Sequence, residues 1–301
     1  MQLSSLLLIF VGFFLILEKF ERNKLSYSLA SSTFKKFKKE NLEGWKNFAT
    51  FFFCFFPLLV GFLIPILEIT NWAINFSSDN FFSETFINSL FNTIILGLIA
   101  GVICTFFAFV FNFLKRFDNG FILNGISTFI SLGYAVPGLV LAVGIIQFFS
   151  LLDKGIFGPY LGIALTGSIV GLLLAYIIKA YALANNSIES GYERIDRTID
   201  DVALSLKTNK VRIFFKIHFP LLKTSILTGM LLVISEVIKE LPATLILRPF
   251  NFDTLAVTTY IYAAEERMFE AASPAIMIVL IGLIPIFFLT RIIRDSRPGN
   301  K

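Results

Sequence analysis

Histidine occurs once in this chain, at His218, and cysteine twice, at Cys54 and Cys104. A single imidazole rules out a histidine-based metal or acid–base centre. Both cysteines lie in apolar runs without C-x-x-C or metal spacing, which points to small buried hydrophobes. Charge is scarce too: Asp, Glu, Lys and Arg make up 16% of 301 residues, against about 25% in soluble domains. No Walker loop, G-x-G-x-x-G or nucleophile triad is present, so neither ATP hydrolysis nor covalent catalysis is expected of this chain. No basic groove interleaves with aromatic residues, and the net charge of +5 is not a nucleic-acid footprint.

What the sequence does contain is apolar. Hydrophobic residues make up 56%, with 37 Phe, and the mean hydropathy is +0.78. This composition belongs to an integral membrane protein. Lipid offers the backbone no hydrogen-bond partners, so the spans must be helices and the fold class is an all-α polytopic bundle. About seven stretches are long enough to span, near residues 2–18, 48–70, 86–114, 127–151, 160–183, 224–247 and 272–291. The first is short, which suggests that the chain begins inside a longer one. Pro57, Pro65, Pro137 and Pro285 interrupt spans, and Gly97/Gly101 and Gly167/Gly171 are spaced for close helix approach.

Basic residues set the orientation. Residues 19–46 carry Lys19, Arg22, Lys24, Lys35, Lys36, Lys38, Lys39 and Lys46, whereas residues 71–85 have none. By alternation Lys115 and Arg116, residues 194–223, and Arg291, Arg294, Arg297 and Lys301 share the side of that linker, the cytoplasm. The linker is either a solvated connector or a segment resting on anionic headgroups.

One cytoplasmic segment is unusual. From Ile195 the apolar residues Ile195, Ile199, Val202, Ala203 and Leu206 fall on one helical face. Glu193, Arg194, Asp196, Arg197, Asp200 and Asp201 take the other, where Glu193 with Arg197 and Arg197 with Asp201 have pairing spacing. "KTNK" breaks the pattern. Thr208 or Asn209 can cap a second short helix, with Val211, Phe214 and Phe215 on one face and Pro220 as its stop. A simple return to the membrane needs only a handful of residues, and a pair of amphipathic helices suits the groove of a soluble partner.

The spacing Asp201-Val202-Ala203, three residues, Lys207, nine residues, Ile217, one residue, Phe219-Pro220 resembles the E-A-A-x3-G-x9-I-x-L-P loop of binding-protein-dependent ABC importer permeases. Asp201, Val202 and Lys207 stand where that pattern has Glu, Ala and Gly. Asn209, which tolerates the left-handed region, is the candidate to serve the turn in place of that Gly. "LGYAVPGLVLAVGI" (132–145) and "KELPATLILRPFNFDTLAV" (239–257) resemble stretches of ferric-iron permeases of this kind. The resemblance implies a type-I ABC importer transmembrane domain in the bacterial cytoplasmic membrane. It further implies a coupling loop at 190–222 that docks on a cytoplasmic ATPase subunit, a periplasmic iron-binding protein as donor, and a second permease half. No cofactor is expected to be bound, and ATP would be used by the partner subunit. The chain looks like the second half of a two-half permease: 1–18 the last helix of a preceding half, 19–47 the linker, 48–85 the first helix of this half, 86–294 the core.

Glu236, Lys239 and Glu240 fall inside the sixth predicted span, where charges usually face a cavity, each other or a cargo path. Their spacing places them on one helical face near the outer mouth, with Pro242 beyond them as a kink and Arg248, Asp253, Glu265 and Glu266 in the outer loop. Two readings stand. One is a carboxylate vestibule, Glu240 its metal-binding residue, for a hard cation such as Fe3+. The other is an internal Glu–Lys pair that fixes packing. Tyr134, beside the Pro137 kink, lines the path or packs, and His218 is a solvated or interface histidine, a pH sensor or an ATPase contact. Rival assignments are a permease for a polyamine, thiamine or an organophosphonate, and an inactive truncated anchor.

Overall fold

The computed structural model describes residue 13 and residues 43–77, 81, 83–117, 121–157 and 164–296. The expected span 2–18 apart from Phe13, most of the linker 19–47, Arg297 and Lys301 lie outside these. All regular elements among the described residues are helical. They are α1 (Trp45–Phe76), α2 (Glu84–Phe117), α3 (Phe121–Ser131), α4 (Gly138–Gly155), α5 (Ile169–Tyr192), α6 (Thr198–Ser205), α7 (Lys210–Ile238), α8 (Pro242–Leu247), α9 (Leu255–Ala264) and α10 (Met268–Ser296). Six of them, α1, α2, α4, α5, α7 and α10, are long and apolar enough to cross a membrane.

The centre of the bundle is α2, α5 and α7, which pack on one another. Lipid is as apolar as leucine, so close packing and interhelical hydrogen bonds must hold such helices together. Both are present. The inward face of α2 carries Gly97, Ala100, Gly101, Cys104 and Ala108. A Cβ on Gly101 would lie 2.9 Å from Ile234 Cγ1 of α7, so any larger residue would force Ile234 to shift. Across the same core Asn112 Nδ2 donates to Asn185 Oδ1 at 2.9 Å, and Ser187 donates to the Ser225 carbonyl at 2.9 Å, bonds worth about 0.6 kcal/mol each on average in membranes. Cys104 is buried, as expected. Cys54 is exposed, contrary to expectation, because α1 buries only Ala73 along its length.

Two predicted spans are corrected. The stretch 127–151 is two helices: α3 passes into a 3-10 turn at Leu132–Ala135, Val136 and Pro137 are extended, and α4 restarts at Gly138. The stretch 224–247 breaks too, because α7 ends at Ile238 and α8 begins at Pro242. A proline lacks the N–H that a continuous helix would use, and at Pro137 and Pro242 the chain stops and restarts rather than bending. Gly167 sits at φ 78 in the turn before α5, so only Gly171 of its pair serves helix approach, with its hypothetical Cβ 3.2 Å from Phe149 of α4.

Beyond the second break, α9 is pinned to α2. Ser89 and Thr258 hydroxyls lie 2.8 Å apart, Leu255 N–H donates to Thr93 at 2.9 Å, and Asn92 donates to the Asp253 carbonyl at 2.9 Å. The C-terminal part of α1 meets α10 through Ala73, Ala272 and Ile276, and Trp72 stands edge-on to Phe269.

Candidate functional site

The predicted two-helix insert is present with shifted ends. α5 stops at Tyr192 and α6 begins only at Thr198, so neither Glu193–Arg197 nor Arg197–Asp201 forms the pairing that a continuous helix would give. The Asp196 carboxylate instead accepts the Thr198 N–H at 3.0 Å, and that bond holds its pKa below the usual aspartate range. The end of α6 is a Schellman turn: Lys207 N–H donates to the Leu204 carbonyl at 2.9 Å and Thr208 N–H to the Ala203 carbonyl at 3.1 Å. Lys207 itself takes the left-handed backbone, φ 55, at the position where the family pattern has Gly. Asn209 does not serve that turn. It lies at φ −66 and caps α7, its side chain accepting the Val211 N–H at 3.3 Å.

Pro220 does not stop a helix. It stands in the first turn of Phe219–Ile238, and a π turn at Phe214–His218 joins that segment to Lys210–Ile213, so α7 runs unbroken from loop to membrane. The wider turn accommodates the missing N–H.

Of the expected docking residues, Asp201, Val202 and Lys207 are exposed, Ile217 is half-buried, and Phe219 and Pro220 are exposed. Val202 is 60% and Leu206 75% exposed, and they flank a groove of about 370 Å³ that Ile199, Thr208 and Ile217 also line. Ala203 lines the floor of the same groove but is only 6% exposed and packs into the core.

What holds this insert was not foreseen. Arg116, at the end of α2, forms an ion pair with the buried Asp200 of α6 through Nε. Its two terminal nitrogens donate to the carbonyls of Tyr192 (3.2 Å), Ile195 (2.9 Å) and Asp196 (2.8 Å). The other Asp200 oxygen lies 2.7 Å from His218 Nε2. His218 is fully buried, not solvated, with Phe113 edge-on at 5.4 Å and Tyr192 tilted at 5.3 Å. One guanidinium thus ties α2, the end of α5, α6 and the π turn of α7 into a single knot. Phe214, tilted against Phe109 (4.4 Å) and edge-on to Phe113 (4.9 Å), closes it.

A second charged group lies inside the bundle. Glu240 sits in the break between α7 and α8, 6% exposed. Its partner is Lys179, near the midpoint of α5, a residue the sequence reading did not single out. The other carboxylate oxygen accepts the Ala243 N–H at 3.2 Å. Contact with the midpoint of α5 places Glu240 deeper than the outer mouth. Glu236 and Lys239 do pair, at 3.0 Å, and Glu236 borders the same small space as Glu240 although the helix has ended at Ile238. Around Glu240, Tyr176 and Thr244 hydroxyls are 2.6 Å apart, and Thr244 donates to the Glu240 carbonyl at 2.6 Å. Gly138, the first residue after Pro137, approaches so closely that a Cβ there would lie 2.8 Å from Glu240 Oε1 and 3.2 Å from Pro242 Cβ. The two helix breaks therefore meet at this carboxylate. Tyr134, in the 3-10 turn, is half exposed, and Arg248 pairs with Asp253 at the base of the loop whose tip is the fully exposed Phe250. Among the described residues no group of three or more His, Cys, Asp or Glu is placed to hold a metal ion.

Residues 94–297 match the family described as binding-protein-dependent transport system inner membrane component. The chain is 24% identical over 244 residues to the Fe(3+)-transport system permease protein FbpB 2 of Haemophilus influenzae, covering 80% of this chain and 46% of that one. It is 26% identical over 196 residues to the molybdate/tungstate transport system permease protein WtpB of Methanocaldococcus jannaschii, 62% of this chain and 73% of that one. The chain thus spans about half the length of the Haemophilus relative. Among solved structures, a chain of a bacterial alginate ABC transporter in complex with an alginate pentasaccharide-bound periplasmic protein superposes with a TM-score of 0.68 at 13% identity, covering 83% of this chain and 94% of that one. That likeness shows the fold.

Proposed function

This chain belongs to the inner membrane components of binding-protein-dependent transport systems, and from that premise we propose that it is the permease of an ATP-driven importer carrying ferric iron from a periplasmic binding protein to the cytoplasm. The observation that carries the reading is the braced insert. Val202 and Leu206 present an apolar ridge beside a groove on the exposed side of α6, the form in which a helix docks to a soluble partner. Behind the ridge, Arg116 and Asp200 fasten α6 to α2, α5 and α7.

The partner on that ridge is an ATPase subunit, which uses ATP that this chain cannot bind by any phosphate loop of its own. When the ATPase subunits close, the insert moves as one body with the ends of the three central helices, and the bundle rocks between inward-open and outward-open forms. Two such bundles are needed for a path between them, so the chain works with a second permease half. The 46% coverage of the Haemophilus protein supports this. Cargo arrives from a periplasmic binding protein at the opposite face. Iron is favoured by the relative named for Fe(3+) transport and by the likeness of residues 239–257 to ferric permeases. The relative named for molybdate/tungstate makes an oxyanion the rival cargo.

The test is uptake of labelled ferric iron, molybdate, a polyamine, thiamine and 2-aminoethylphosphonate by cells with and without this gene. Loss of iron uptake alone is expected. Loss of another cargo would replace iron while keeping the importer, and no loss at all would mark an inactive anchor.

A further inference from the structure

The charges within the bundle form a closed arrangement rather than an open site. Lys179 and Glu240 pair directly, Glu236 and Lys239 pair next to them, and the space bounded by Tyr176, Lys179, Ala180, Glu236, Val237 and Glu240 is only about 10 Å³, barely the room one water needs. The broken backbone is satisfied as well: Val136 N–H donates to the Gly133 carbonyl, Val140 N–H to Pro137, Glu240 N–H to Val237 and Leu245 N–H to Leu241. Yet interrupted helices in a membrane are places where two arrangements of the same chain lie close in energy, and an ion pair spanning them weighs differently in each.

We propose that Lys179–Glu240 is the latch of the translocation path: a pair, bridging α5 and the break before α8, that holds the two helix interruptions together at Gly138 in the closed state and must part for cargo to pass. The pair joins three elements within this bundle, and in this proposal the rocking that opens the path between the two halves also shifts them against one another. Gly138 abuts the carboxylate from the α3–α4 break, Lys179 holds it from α5, and Ala243 N–H holds it from α8. Parting leaves each charge exposed to bilayer-depth surroundings, which is costly unless water or charged cargo replaces the partner. The closed state thus resists opening until the ATPase drives it. Lys179 and Glu240 act as gate residues, and the proposal rests on the permease reading above.

The experiment uses the complex purified from the native membrane through a tag on this chain and placed in proteoliposomes. It compares Lys179→Met, Glu240→Gln, the exchange Lys179→Glu/Glu240→Lys, and the apolar pair Lys179→Met/Glu240→Leu. ATP hydrolysis is read without binding protein, together with uptake of labelled ferric ion and molybdate when binding protein is added. Either single variant should raise the unstimulated hydrolysis roughly tenfold and lower uptake per ATP by a similar factor, and the exchange should restore the low unstimulated rate. A purely structural pair is often replaced by apolar side chains without loss, so the apolar pair separates the readings: at normal membrane level it should fail to couple hydrolysis to uptake. Wild-type behaviour of the apolar pair, or of both single variants, would overturn the latch. A wild-type complex that hydrolyses no ATP would overturn the importer reading instead.

Discussion

Removing Arg116 should free the cytoplasmic insert while leaving the bundle in the membrane. Arg116→Met keeps the length of the side chain and deletes its ion pair with Asp200 and its bonds to three carbonyls, those of Tyr192, Ile195 and Asp196. Both charged side chains of the pair are nearly buried, at 8% and 7% exposure, and breaking a buried pair by removing one partner costs about 3–5 kcal/mol. His218 remains beside Asp200 at 2.7 Å and recovers part of that, so the lower end, about 3 kcal/mol, is the working figure. It corresponds to a population of undocked insert raised roughly a hundredfold. Arg194 and Arg197 lie in the segment released, which makes trypsin cleavage of inside-out vesicles the assay. Cleavage between α5 and α6 should accelerate by about that factor while it remains limited by opening, and the amount of protein in the membrane should change little. Arg116→Lys, which cannot reach all the carbonyls, should fall between. If Arg116→Met vesicles resist trypsin as wild type does, the knot does not hold the insert and the mechanical account fails.

The remaining expectations concern the same loop. Val202→Glu and Leu206→Glu, on the exposed ridge, should abolish ATPase co-purification without lowering membrane level, whereas Ala203→Glu, facing the core, should lower the level itself; immunoblots of membranes and eluates separate them. Lys207→Gly should relieve the left-handed backbone at φ 55 by about 1 kcal/mol and slow loop cleavage roughly fivefold. Asp196 is held below the usual aspartate range chiefly by the Thr198 N–H. A depressed carboxyl stabilises the fold above its unfolded pKa and loses that contribution as pH falls through the folded one. The Asp196 contribution, read by hydrogen exchange of the loop corrected for intrinsic rate and compared with Asp196→Asn, should therefore be lost only as pH falls below the ordinary aspartate value near 4.

Hydropathy made the spans legible, because lipid demands long apolar helices whatever their packing. It was blind to the breaks at 132–137 and 239–241: the first stays apolar while the backbone departs from a helix, and at the second Lys239 and Glu240 read as charges within a continuing span. Pro137 and Pro242 signalled a bend, but their close approach through Gly138 depends on a neighbour 102 residues away in the chain, counting from 138 to 240. Lys179 escaped notice at the edge of a predicted span, and its partner is 61 residues distant. Arg116 was read as one of the positive charges that set the orientation. Its second role depends on Asp200 being buried, and helical periodicity put Asp200 on the solvent face. The burial of His218, and with it the partner that a buried imidazole needs, has no signal in the sequence. The turn position, by contrast, was legible: Lys207, where the resembled pattern has Gly, takes the left-handed backbone.

The most direct measurement is ATP-driven uptake by the purified complex in proteoliposomes, with and without binding protein, for wild type and for Leu206→Glu. The account predicts an ATP-hydrolysing subunit that co-purifies with the wild-type chain, uptake that requires both ATP and binding protein, and loss of subunit and uptake together in the variant. A wild-type chain that purifies without an ATP-hydrolysing subunit, or a Leu206→Glu variant that retains both, would contradict it.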